Sequence, residues 1–223
     1  MPPQSGEPAA YRTLGGFSSV ESIIKRSRFI GIAGPAESEK EALEVIAQLR
    51  SEHPQATHHC YAFRVGLGAE TARFSDDGEP GGTAGRPILE VLQREDLHNA
   101  VIVVIRYFGG VLLGAPGLVR AYSQTASAAV RAAGIVRQLL HARLRVELDY
   151  EWAGRAQHWL KERGAAIEAA DYGGRVSFTF LVPNDETAGT VAGLKEMTGG
   201  RANPQVLGAA YRAVPDGPAT RQG

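Results

Sequence analysis

The chain has little sulfur and no excess charge. Its 223 residues include one cysteine and two methionines, and its formal net charge is zero. A lone thiol, Cys60, cannot form an internal disulfide, which excludes a disulfide-stapled secreted scaffold. No apolar run approaches the roughly 20 residues that cross a bilayer as a helix, so no membrane partner is expected. The opening residues, MPPQSGEPAAYRT, lack the basic start and apolar stretch of a signal peptide. A cytoplasmic location is therefore expected. Lysine plus arginine equals aspartate plus glutamate, 24 of each, and the balance holds on both sides of residue 140. Proteins that grip nucleic-acid phosphates by bulk charge carry a basic excess. Any such contact here must come from a local patch.

Glycine, by contrast, is concentrated in two segments, residues 74–87 (FSDDGEPGGTAGRP) and 106–122 (RYFGGVLLGAPGLVRAY). Glycine admits positive φ and close approach of backbone amides, and amides gathered ahead of a helix make a ready anion site. Asp76, Asp77 and Glu79 lie within four residues of one another. Three carboxylates that close could hold Mg²⁺, although aspartates before glycine also stabilise turns by accepting from backbone amides. Gly81 to Gly85, with Thr83 and the following Arg86, could form a phosphate nest closing onto a helix; the alternative is a tight structural connection. Arg106 and Tyr107, then Phe108, Gly109 and Gly110, sit where a strand ends, a preferred ligand position in α/β sheets. An arginine beside aromatics suits an unstacked base and its phosphate. Arg106 could equally be an internal partner of the acidic loop. Arg120 falls near the start of the next helix, within reach of an anion at its mouth. This is not a Walker motif, because no Gly-Lys-Ser/Thr follows. His58 and Cys60 share one strand face, but with a single cysteine and no second ligand pair, a histidine bonded to the acidic loop is a better reading than zinc or a catalytic dyad. With no nucleophile–base pair in view, a non-enzymatic protein is favoured.

The element pattern divides the chain. Flexible ends are expected at 1–15 and 213–223, one domain at 16–137 and a second at 141–212. In the first domain, residues 28–32 read as a strand and 38–50 as an amphipathic helix capped by Ser38, with Ala42, Leu43, Ile46 and Leu49 on one face. The β-branched run 101–105 (VIVVI) reads as a central strand, and 118–133 as a helix. The second domain reads βαββαβ, the ferredoxin-like order. There Trp152 and Trp159, seven apart on one helix face, are read as core or interface anchors.

The ordered motifs FSDDGEPGGTAGRP, VIVVIRYFGGVLLG and GLVRAY, with SRFI at 27–30 and HHC at 58–60, resemble the YigZ/IMPACT family over residues 25–132. The resemblance implies an α/β (α+β) protein. Its N-terminal domain would be a sandwich like domain 2 of ribosomal protein S5, and its C-terminal domain ferredoxin-like, similar to a domain of translocating elongation factors. The eukaryotic relative is a translation regulator, so RNA or the ribosome is the implied partner. Where this chain has Pro116, family members often have a second glycine; proline removes an amide donor from that loop. Two rivals stay open: a Mg²⁺-dependent enzyme acting on a phosphorylated small molecule or nucleotide, and an adaptor whose C-terminal domain docks a protein partner.

Overall fold

The computed structural model describes residues 8–216. They form two compact units: Tyr11–Arg137 together with residues 213–216, and Gln138–Arg212 together with residues 8–10. The expected flexible ends lie outside the described residues only in part, at 1–7 and 217–223. Residues inside the first of them form strand β1 (Ala10–Leu14), anchored by Leu14 in the core and by the Thr13 hydroxyl donating to the Asn99 carbonyl at 3.0 Å.

The N-terminal unit is built on a five-stranded antiparallel sheet of β2 (Ser18–Ile24), β3 (Ser27–Pro35), β4 (His58–Val65), β5 (Thr71–Ser75) and β6 (Ala100–Tyr107), in the order β2-β3-β6-β4-β5. The central position of β6 follows from its apolar run. Ile102 and Val104 pack with helices α2 (Gly85–Arg94) and α3 (Ala115–Ala133), while Val101, Val103 and Ile105 pack with α1 (Glu39–Glu52). Both faces of β6 are therefore covered, as an uninterrupted apolar strand requires. Helix α1 starts where expected, with the Ser38 hydroxyl accepting from the Glu41 amide. Ala42, Ile46 and Leu49 face inward, but Leu43 lies at the edge of that stripe and stays exposed.

Where one strand was expected near residues 28–32, the structure has a hairpin. β2 and β3 pair from Ser18↔Ala33 to Ile24↔Ser27, leaving only Lys25 and Arg26 as the connection. Both hold positive φ, 45° and 67°, the pattern of a type I′ turn.

The C-terminal unit follows the order β7 (Ile135–Leu148), α4 (Tyr150–Glu162), β8 (Ala166–Tyr172), β9 (Val176–Pro183), α5 (Thr187–Met197) and β10 (Gln205–Pro215). Its strands run β8-β9-β7, with β10 also pairing β7, the arrangement of a ferredoxin-like sheet. Val146, Phe178, Phe180, Leu160 and Leu194 fill its core. Trp152 and Trp159 pack against that core, and a Cβ added at Gly193 would meet the Trp159 ring at 2.4 Å.

Candidate functional site

The first glycine-rich segment builds an anion nest and supplies the anion itself. Asp76 Oδ1 accepts from the amides of Ala84 and Gly85 at 2.9 and 2.8 Å, and Oδ2 accepts from Gly82 at 2.9 Å. A phosphate nest here is thereby corrected: the converging amides already hold a carboxylate. Thr83 is buried, its hydroxyl donating to the Pro80 carbonyl at 2.6 Å. Arg86 stays on the surface in the first turn of α2, 3.4 Å from Glu90. Gly85 is required by close approach, since a Cβ there would lie 2.6 Å from the Ser75 carbonyl oxygen.

The three acidic residues diverge. Asp77, at φ 43°, accepts from Arg50 and from the His59 amide, each at 2.6 Å. Glu79 turns inward and is buried, accepting from Arg106 Nη1 and from the Tyr122 hydroxyl, each at 2.7 Å. Among the described residues no three His, Cys, Asp or Glu side chains are grouped to hold a metal. The Mg²⁺ reading of Asp76, Asp77 and Glu79 is corrected on that geometry: each carboxylate is drawn to a different set of donors.

Arg106 is the internal partner of the acidic loop. It is 4% exposed, donates its second terminal nitrogen to Ser27 Oγ at 3.2 Å, and packs against the Phe29 and Phe108 rings at 5.4 and 5.3 Å. A guanidinium in that position satisfies a buried carboxylate and is closed to a ligand. Tyr107 points to the opposite sheet face, its hydroxyl 2.9 Å from His53 Nδ1, with Arg28 against its ring. Alternation along β6 therefore separates two residues that sequence proximity had grouped. His58 meets the Asp77 carbonyl through Nδ1 at 2.8 Å, and the Cys60 thiol donates to the Asp76 carbonyl. Burial pushes the Cys60 thiol up to about 12 and raises the Tyr122 phenol, so both stay protonated in this cluster. Burial also lowers the pKa of His59.

Beyond Tyr107 the second segment is more open. Gly109 is fixed by contact: a Cβ there would fall 2.0 Å from the Arg26 carbonyl oxygen, so the end of β6 lies against the Lys25-Arg26 turn. Gly110 takes φ 78° and Gly114 φ 73°, leading into α3. Beside the turn is an open groove of about 430 Å³, lined by Ile24, Lys25, Leu113, Pro116, Arg120 and Gln124 among others, with no carboxylate in its wall among the described residues. Elsewhere in this unit the arginines are mostly paired: Arg28 with Glu21, Arg50 with Asp77, Arg64 with Glu70, Arg73 with Glu39. Lys25, Arg26 and Arg120 enter no ion pair among the described residues, and Phe108 nearby in sequence is half exposed. Of the expected ligand contacts, only Arg120 belongs to this cluster. Lys25 and Arg26 were missed; two adjacent basic residues between alternating segments were the signal for them.

Residues 25–130 match the Impact N-terminal domain, and residues 146–201 match a domain of unknown function, DUF1949. The chain is 36% identical to the IMPACT family member YvyE of Bacillus subtilis, over 87% of this chain and 89% of that protein. It is 33% identical to the IMPACT family member YigZ of Escherichia coli, over 82% and 90% respectively. A crystal structure described as that of a hypothetical protein shares 30% identity with a TM-score of 0.60, covering 90% of this chain and 98% of that one. No helix among the described residues is long and apolar enough to cross a membrane.

Proposed function

The chain belongs to the IMPACT family, and from that premise we propose that it is a cytoplasmic, translation-associated binding protein that contacts RNA on the ribosome. The observation that carries the reading is the pair Lys25 and Arg120, which line one groove and enter no ion pair among the described residues, in a unit whose other cations are mostly paired. Net charge supplies no general affinity for phosphate, so a local patch of this kind is what the contact requires.

The turn adds a second support. A residue other than glycine, asparagine or aspartate in the left-handed region loses roughly 1–2 kcal/mol. Asn-Gly is the favoured sequence for such a turn, yet this one carries Lys25 and Arg26. Strain retained at an exposed basic turn is expected where the side chains are used.

Co-sedimentation with ribosomes across a salt series tests the proposal. Binding should weaken as salt rises, and Lys25→Ala combined with Arg120→Ala should weaken it by at least about tenfold and flatten the salt dependence. Unchanged binding by a folded double variant would remove this patch from the interface.

A further inference from the structure

We infer that the groove between the Lys25 turn and the start of α3 seats one unpaired nucleotide, making the protein a single-strand reader. This rests on the RNA reading above and adds to it the form of RNA recognised. A duplex phosphate backbone asks only for cations. This groove offers more. Ile24, Leu113 and Pro116 give its wall aliphatic surface, and Lys25 and Arg120 give it two cations. Gln124, exposed on α3, adds a carboxamide with both donor and acceptor atoms.

The combination fits a single nucleotide by chemistry. An unstacked base presents a flat apolar face and a hydrogen-bonding edge, while its phosphate presents negative charge. Paired bases present neither the face nor the full edge. Among the described residues no carboxylate lines the groove to repel the phosphate. The Gly109 contact holds the Lys25-Arg26 turn against the end of β6, so the Lys25 side of the groove is carried on rigid backbone.

Fluorescence anisotropy with an unstructured RNA of about a dozen nucleotides, alone or annealed to its complement, reads this directly. The single strand should bind about tenfold or more tightly than the duplex at equal salt. Gln124→Leu, at an exposed helical position, keeps the side-chain size and the charge but removes the carboxamide; it should lower single-strand affinity about fivefold and leave the melting temperature unchanged. Equal affinity for the two RNA forms would overturn the inference. So would a Gln124→Leu variant that binds the single strand normally. In either case ribosome binding that still depends on Lys25 and Arg120 would leave the broader reading standing. Loss of that dependence would remove both.

Discussion

The two glycine-rich segments lie in one unit and differ in how completely their charged groups are paired. Residues 74–87 consume them: Asp76 fills the amide nest, Glu79 neutralises Arg106, and Asp77 closes onto Arg50 and the His59 amide. Residues 106–122 give up Arg106 and Tyr122 to Glu79, but Arg120, on the α3 side, enters no ion pair among the described residues and lines a groove with no acid among its described lining residues. Glycine density alone does not distinguish a receptor from a loop that satisfies itself. The count of unmatched charges does.

The contrast is broken most severely at its buried end. Arg106→Ala leaves the Glu79 carboxylate buried with only the Tyr122 hydroxyl and a distant His58, so it should destabilise the fold by about 3–5 kcal/mol, read by urea denaturation. If Arg106 served a ligand instead, stability would change little while binding fell. Asp76→Ala comes next, at about 2–3 kcal/mol, because the buried amides of Ala84 and Gly85 lose their acceptor. Added sulfate or phosphate should restore part of that loss in thermal unfolding. No rescue would mean that the loop opens when its carboxylate is removed. The smallest effect has the opposite sign: Lys25→Asn with Arg26→Gly should stabilise the protein by about 1–2 kcal/mol while weakening ribosome binding. A variant that gained stability and kept its binding would show that the strained turn has no part in the interface.

Much of the scaffold was legible in the sequence because its signals are local. The run at 101–105 has no polar residue to place at a surface, so β6 had to be central. Ser38 and the periodic apolar positions fixed α1, and the βαββαβ order of the C-terminal unit followed from alternating patterns and the glycines after its helices. The β2–β3 hairpin escaped because its two-residue turn holds both positions at positive φ, which lysine and arginine disfavour, so Lys-Arg gives no turn signal. Strand β5 escaped because it is a short edge strand with largely exposed residues, which leaves little hydrophobic pattern to read. The role of Arg106 stayed open for a different reason. Its partners Glu79 and Ser27 are 27 and 79 residues away, and nothing local says which of several acids a strand-end arginine will meet. The destination of the Asp76 carboxylate was equally invisible, since three backbone amides converge on it only after the loop has closed.

The nest around Asp76 bears on how binding sites can originate. Its amides of Gly82, Ala84 and Gly85 are held in a receptor's geometry by Gly85 against Ser75 and by the start of α2, while the occupant is tethered to the same chain. Shortening that one side chain converts a tethered guest into a vacancy for a free one. A lineage that drifted through such a change would acquire an anion receptor without inventing a loop, and would trade stability for dependence on whatever anion its surroundings supplied.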